Sequence, residues 1–142
     1  MSGRILGPVV LVLAILVVGC GSGPADSAAL QDTRWVLVAL GGEPPLVGAA
    51  PSAEFTADQI SGSASCNTYF GTYTVGDGEL SIGDVAHTEM WCAEPEGVMD
   101  QEQVFLMTLA TVGGYRLADG ELELLDGAGD VVLAFEPEAA GP

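Results

Sequence analysis

The sequence predicts a mainly β domain of the α+β class, in which an antiparallel sheet packs against one amphipathic helix. Short stretches rich in valine, leucine and aromatic residues alternate with turns of Gly, Asp and Pro along most of the chain. The segment Glu121-Leu122-Glu123-Leu124 alternates polar and apolar residues, as a strand with one solvated face does. Helical spacing of apolar residues is found in one stretch, residues 98–112.

Four strands are predicted in the first half of the chain. Residues 34–40 are rich in strand formers and are followed by Gly41-Gly42 and a proline-containing loop. The other predicted strands are residues 52–57, residues 59–63 and a longer stretch at 67–75 that bends at Gly71.

Turn residues separate the later strands. Asp77-Gly78 is a hairpin signal, and the pattern continues through residues 79–82 and 85–90. The last predicted strands are residues 115–118, 121–125 and 131–135, which are separated by Asp119-Gly120 and by a glycine-rich turn at 126–129.

The predicted helix places five residues at helical spacing and is expected to end at Gly113-Gly114. These residues are Val98, Glu102, Phe105, Leu109 and Val112. Its apolar stripe is wide enough to cover an open end or side of a curled sheet, so we interpret it as core packing. The stripe consists of Val98, Met99, Phe105, Leu106 and Leu109.

The N-terminal segment is typical of a bacterial lipoprotein signal peptide. A basic Arg4 precedes the apolar run 5–18, and the four-residue box 17–20 ends in Cys20. An ordinary secretory peptide and a membrane anchor are the alternatives, but the run is shorter than the roughly 20 residues that span a bilayer. The sequence therefore predicts lipidation of Cys20 and a location in the cell envelope, on the periplasmic or extracellular face of a membrane.

These boundaries divide the chain into four parts. The prediction is a signal peptide over residues 1–19, a flexible stalk over 20–31, one domain over 32–136 and a disordered tail over 137–142.

The charge balance excludes nucleic acid as a partner. The formal net charge is -17, and the basic residues are three arginines with no lysine. Affinity for phosphate depends on clustered Lys and Arg, which this chain lacks. An acidic surface can instead reflect solubility, a saline habitat, or attraction to cationic partners or divalent ions.

Cys66 and Cys92 are the two cysteines that remain beside Cys20. In an exported domain an even remainder predicts a disulfide, which would close a loop of about 27 residues and contribute roughly 3 to 4 kcal/mol. The alternative is a thiolate nucleophile paired with His87, which requires a reduced cysteine within hydrogen-bond reach of the imidazole.

No metal site or cofactor is predicted. One His and three Cys cannot supply the closely spaced ligand pairs of zinc. The run Asp126-Gly127-Ala128-Gly129-Asp130 offers two carboxylates but lacks the other ligands of a calcium loop, so a hairpin turn explains it better.

Residues 62–73, read Gly-Ser-Ala-Ser-Cys-Asn-Thr-Tyr-Phe-Gly-Thr-Tyr, resemble the signature of the META domain (HslJ-like) family. The opening Trp35-x-Leu37 strand and the Thr88-x-Met90-x-Cys92 segment agree in order and spacing, as do the helix positions. The family-motif positions are Asn67, Tyr69, Gly71, Thr88 and Met90, and the helix positions are Glu102, Phe105 and Leu109. One departure is Glu89, where the family often has a basic residue.

The resemblance implies an antiparallel sheet curved into a small barrel with one helix packed on it, in the bacterial envelope. It implies links to heat shock, antibiotic tolerance and motility, and no enzymatic activity. The expected function is a non-enzymatic, lipid-anchored envelope protein that contacts other envelope components and supports stress tolerance. Asn67 is expected to serve structure beside a turn, where its side chain tolerates left-handed geometry and bonds the backbone.

The alternative is a carrier or sensor of a small apolar ligand. Five aromatic side chains either line a cavity inside the barrel or simply fill its middle. These are Trp35, Tyr69, Tyr73, Trp91 and Phe135. A thiol-dependent enzyme is the third hypothesis, and it requires an unpaired Cys66 or Cys92.

Overall fold

The structure is a computed structural model that describes residues 25–141. The signal peptide and Cys20 lie outside these residues. Nine strands and two helices follow one another in the order α1 (Ala25–Leu30), β1 (Thr33–Leu40), β2 (Ser52–Phe55), β3 (Gln59–Ser63), β4 (Thr68–Gly76), β5 (Glu79–Ile82), β6 (Ala86–His87), α2 (Val98–Leu109), β7 (Val112–Ala118), β8 (Glu121–Asp126) and β9 (Val131–Pro137). Within the described range no helix is long and apolar enough to cross a membrane.

The strands form a closed antiparallel barrel. Eight of them are paired in the order β3-β2-β1-β9-β8-β7-β5-β4, and β3 pairs with β4 to close the ring. Strand β6 is the ninth and, among residues 25–141, pairs with β4 alone, beside the start of that strand. The shortest strand pairing in the barrel is between β5 and β7, which share the single residue pair Glu79 and Gly114.

One buried cluster fills the barrel, and helix α2 contributes to it. Phe105 and Leu109 of α2 are fully buried in this cluster. The largest fully buried side chains are Tyr69, Phe55, Phe105, Phe135, Leu30, Leu37, Ile60, Leu80, Leu109, Leu122, Leu124 and Leu133. Full burial of one such side chain contributes about 1.5–3 kcal/mol. The predicted fold class, a mainly β barrel with one amphipathic helix packed on it, is confirmed.

The barrel has two chemically different ends, which follow from strand direction. At the proximal end β1 begins and β9 ends, and the strands are joined by the short turns at 56–58, 77–78 and 119–120. At the distal end lie the loops 41–51 and 64–67, the whole segment 83–111 with α2, and the turn 127–130. The described chain therefore enters β1 at the end of the barrel opposite to α2.

The structure corrects the predicted ends of the helix and of one strand. Helix α2 stops at Leu109, and Gly113-Gly114 lies within β7 instead of ending the helix. A register shift between Val112 and Gly114 accommodates these residues in the strand. The predicted strand 85–90 is reduced to the two residues of β6, because the chain beyond it bonds to a side chain rather than to a neighbouring strand.

The packed domain also extends slightly beyond its predicted limits. Within the predicted stalk, residues 25–30 form α1, and Leu30 is fully buried in the core. Within the predicted tail, β9 runs to Pro137, and the Glu138 amide donates to the Arg34 carbonyl oxygen at 2.9 Å.

Candidate functional site

The loop 64–67 joins β3 to β4 at the distal end and carries the centre of the family motif. The Ala64 amide donates to the Asn67 carbonyl oxygen at 2.7 Å, which closes the loop. The residue with positive φ is Ser65, at 128°. Asn67 itself does not have a positive φ, and its side chain bonds the backbone of Met90.

The side-chain amide of Asn67 is 2% exposed and uses its full bonding capacity. Its Nδ2 donates to the Met90 carbonyl oxygen at 3.0 Å and to Glu102 Oε1 at 2.6 Å. Its Oδ1 accepts from Thr88 Oγ1 at 2.8 Å and from the Met90 amide at 2.6 Å. Asn67 thus holds the segment after β6 in place of a partner strand.

Glu102 is the buried charge of the site. Its side chain is 4% exposed, and Oε2 accepts from the amides of Cys66 at 2.8 Å and Asn67 at 2.7 Å. With the Asn67 Nδ2 bond to Oε1, the carboxylate accepts three N–H donors. Hydrogen bonds to a charged group contribute about 1.5–3 kcal/mol each, so these three bonds hold the loop 64–67 firmly against α2. We call Cys66, Asn67, Thr88, Met90 and Glu102 the distal cluster.

The predicted disulfide between Cys66 and Cys92 is confirmed. The two sulfur atoms are 2.02 Å apart, and the Cα atoms are 5.9 Å apart. The bond links the loop 64–67 to the same segment that Asn67 holds. Because both sulfur atoms are joined, neither cysteine is available as the thiolate nucleophile that a Cys–His mechanism requires.

Gln101, next to Glu102 on α2, fixes the other distal loop. Its Nε2 donates to the Ala49 carbonyl oxygen at 2.8 Å and to Ser65 Oγ at 2.9 Å, while its Oε1 accepts from the Leu46 amide at 2.7 Å. Two adjacent side chains of one helix therefore tie down both the 41–51 loop and the 64–67 loop.

Tyr69 and Gly71, two family-motif positions on β4, also contribute to this arrangement. The Tyr69 hydroxyl donates to the Ser52 carbonyl oxygen at 2.8 Å, and its ring meets Phe105 edge-on with centroids 5.5 Å apart. Burial raises the pKa of Tyr69 above its usual value of 10.0. A Cβ at Gly71 would lie 3.2 Å from Val85 Cγ2, so this glycine allows the segment before β6 to pass closely.

The aromatic residues do not form one lining. Trp35, Tyr69, Tyr73 and Phe135 belong to the packed core, whereas Trp91 is 76% exposed at the distal end. The expectation that Trp91 faces the barrel interior is therefore wrong. Burial of the other four side chains within one hydrophobic cluster favours their role as core over a role as ligand contacts.

The buried polar side-chain groups of the distal end are hydrogen-bonded within the protein. Across the described residues, no buried side-chain nitrogen or oxygen lacks a hydrogen-bond partner. Residues 25–141 also contain no group of three His, Cys, Asp or Glu side chains placed to hold a metal ion. In the predicted turn after β8, Asp126 Oδ1 accepts from the amides of Ala128 and Asp130, at 2.9 and 3.0 Å.

The surface around this arrangement is apolar in places and acidic elsewhere. Of the eight large apolar side chains that are exposed in the described part of the chain, six lie at the distal end. These six are Val47, Met90, Trp91, Val104, Met107 and Val131.

Arg34 and Arg116 both lie on strands, each beside a glutamate of the neighbouring strand. Arg34 pairs with Glu54, and Arg116 pairs with Glu123.

Gln101 and Glu102 are the site residues that sequence reasoning did not assign. The signal was present at Glu102, because a charged residue stands at a position of the helix that otherwise carries the buried stripe. Its partners lie 35 and 36 residues away, so no local pattern reveals them.

Other proteins contain a domain similar to this one. A family model described as META domain matches residues 28–139. A protein from Burkholderia xenovorans, solved by NMR, is 26% identical, with a TM-score of 0.64 and coverage of 98% of this chain and 97% of that one. A second protein solved by NMR is 27% identical, with a TM-score of 0.61 and coverage of 78% and 92% respectively. None of the curated proteins matches the chain.

Proposed function

Because the chain belongs to the META domain family, we propose that it is a non-enzymatic, lipid-anchored envelope protein whose distal end contacts other envelope proteins and supports stress tolerance. The observation that carries this proposal is the concentration of exposed apolar side chains at the end opposite to the N-terminal segment. Exposed apolar side chains gathered on one part of a surface mark sites of interaction with proteins or membranes.

The lipid anchor is the first part of the proposal. The box 17–20 and the apolar run before it support acylation of Cys20. Each buried acyl CH₂ contributes about 0.8 kcal/mol, so two or more chains hold a protein on a bilayer. Since the chain enters the barrel at the proximal end, such an anchor directs the distal end away from the membrane.

The protein partner is the second part. Trp91 is 76% exposed and Met90 is 59% exposed, and both are adjacent to the disulfide and the distal cluster. Tryptophan is enriched among the residues that contribute most of the binding energy at protein interfaces, so an exposed Trp91 is suited to burial by a partner.

The anchor is tested by the intact mass of the protein isolated from its envelope. We expect wild type to carry the mass of acyl chains on Cys20 and to incorporate labelled palmitate, and C20A to do neither. An unmodified wild-type mass would contradict the anchoring.

The contact is tested by photo-crosslinking in cells. A photoreactive amino acid replaces Trp91 at the distal end or, as the matched control, Leu117, which is 40% exposed on β7. We expect a defined envelope protein to be crosslinked from position 91 and not from 117. Equal crosslinking from both positions, or W91A restoring heat tolerance to a deletion strain as fully as wild type, would contradict the proposed contact.

A further inference from the structure

A groove runs between helix α2 and the segment 82–87 that contains β6. Two adjoining cavities of about 410 and 420 Å³ make up the groove, and both are lined by His87, Leu106 and Met107. Met99 lines one end and Ala110 the other. In the described residues β7 pairs with β5 only at Gly114 and Glu79, and residues of α2 line the side of the groove that faces the segment 82–87.

One wall of this groove is a strand edge without a neighbour. In the described residues β6 pairs with β4 alone. The Thr88 amide donates to the Thr68 carbonyl oxygen at 3.0 Å, and His87 is opposite Tyr69 in the next pair. Bonded and non-bonded pairs alternate along an antiparallel ladder. The backbone N–H and C=O of His87 therefore point away from β4, toward the open edge.

The other wall is apolar and adaptable. Met107 is 64% exposed, and Leu106 and Met99 are half-buried beside it. Methionine side chains are flexible and polarisable, so they adjust to different apolar groups on a partner. From Met99 to Ala110 the helix rises about 17 Å, which is the length of roughly five residues of an extended strand.

The charges along the groove are negative. Asp84 lines one cavity and Asp100 the other, and both are exposed. The third carboxylate that lines the groove, Glu102, is already bonded within the distal cluster. Arg34 and Arg116, the two arginines of the described chain, pair with glutamates elsewhere. The groove is thus complementary to positive charge.

We infer that the groove binds an extended peptide segment of a partner protein, in which apolar residues alternate with Lys or Arg, as an added strand beside β6. The peptide backbone bonds the free N–H and C=O of His87. Its apolar side chains contact Met107 and Leu106, and its basic side chains lie near Asp84 and Asp100. This inference rests on the proposed function, because it names the chemistry of the partner that the anchored domain contacts.

The test uses the lipidated full chain in nanodiscs of neutral lipid and a seven-residue peptide of alternating lysine and valine with blocked ends. Binding is followed by the backbone amide signals in NMR spectra. We expect the signals of residues 83–88 and 99–110 to shift, and the His87 amide to exchange more slowly with solvent. Shifts confined to other residues would overturn the inference.

Two altered peptides separate the contributions to binding on the unmodified protein. A peptide N-methylated at every residue cannot donate strand hydrogen bonds at either edge, and a peptide with glutamate in place of lysine reverses the charge. We expect each change to weaken binding at least about tenfold. Equal binding of either peptide would overturn the added-strand geometry or the charge preference.

Protein variants provide the matched comparison. H87P removes the outward N–H, whereas H87A retains it, so we expect about tenfold weaker binding for H87P only. D84N combined with D100N is expected to weaken binding about fivefold. Groove signals that shift with protein concentration alone would show a second copy as the occupant and overturn the inference. If the peptide does not bind the groove but Cys20 is acylated and position 91 crosslinks to an envelope protein, this inference fails and the proposed function holds.

Discussion

The proximal and distal ends of the barrel are stabilised in different ways. At the proximal end, strands are connected by short turns, such as Asp77-Gly78 with φ of 47° and 78° and Asp119-Gly120 with φ of 55° and 80°. Positive φ at both central residues matches the twist of a two-residue hairpin. At the distal end, long loops are held by a disulfide and by the side chains of Gln101 and Glu102.

The difference shows which parts of the fold depend on local sequence. A hairpin turn is specified by the two residues within it, whereas the distal loops depend on partners far away in the chain. Removal of one distal partner is therefore expected to destabilise more than a change in one proximal turn.

Replacing Glu102 has the largest expected effect. E102A leaves three N–H donors of Cys66 and Asn67 without their acceptor, so we expect the free energy of unfolding to fall by about 4 kcal/mol. Urea unfolding followed by tryptophan fluorescence measures this loss. E102Q keeps one accepting oxygen and should lose about half as much, and Q103A, at an exposed neighbour, less than about 0.5 kcal/mol. A loss below 1 kcal/mol for E102A would show that the distal cluster does not hold this end.

Loss of the disulfide has the second-largest expected effect on the free energy of unfolding. The bridged cysteines are 26 residues apart, and a loop of this length contributes about 3.5 kcal/mol in the chain-entropy model. Replacing both Cys66 and Cys92 with alanine is expected to lower the unfolding free energy by that amount. The same measurement on wild type in reducing buffer is the control, and it should agree with the double variant. An unchanged urea midpoint in both would contradict this prediction.

A substitution in a proximal turn is expected to lower the free energy of unfolding by less. Gly120 has φ of 80°, a conformation that costs a residue with a Cβ about 1–2 kcal/mol, and nothing lies within 4 Å of the position a Cβ would take. G120A is expected to lower the unfolding free energy by about that strain alone. Thermal and urea unfolding measure it. A loss as large as that of E102A would break the proposed contrast between the two ends.

Tyr69, which joins the barrel wall to α2, has the smallest expected effect at neutral pH. Y69F removes the hydroxyl bond to Ser52 and should cost about 1 kcal/mol. Because burial raises the pKa of Tyr69 in the folded protein, the unfolded chain loses this proton first as the pH rises above 10.

The unfolding free energy of wild type is therefore expected to fall above about pH 10, by up to about 1.4 kcal/mol per pH unit from this group. Y69F should show a shallower fall. Burial, followed by the charges of Asp58 and Asp32, also raises the pKa of Tyr73, and that contribution persists in the variant. Urea unfolding between pH 8 and about 11.5 measures both slopes, and identical slopes would refute the assignment to Tyr69.

The same contrast explains what could be predicted from the sequence. Turns such as Asp77-Gly78 and the alternation at residues 121–124 are local signals, and the structure confirms the strands beside them. The Cys66–Cys92 bond followed from counting cysteines in an exported domain.

The distal end was less predictable for a physical reason. The stretch 88–90 has the composition of a strand, but Asn67 takes the backbone bonds that a neighbouring strand would take. Gly113-Gly114 resembles a helix stop, yet a register shift places both glycines in β7. In each case a partner from elsewhere in the chain overrides the local preference.

The pairing of β1 with β9 has a mechanical consequence. These neighbours are antiparallel, and the chain enters β1 and leaves β9 at the same end of the barrel. Pulling the two chain termini apart would separate the strands one hydrogen bond at a time, like a zipper. A load between the N-terminal segment and the α2 end runs along β1, so it would strain the bonds to β2 and β9 together. In the proposed arrangement, with a lipid tether at one end and a partner at the other, force would act along β1 in this second direction.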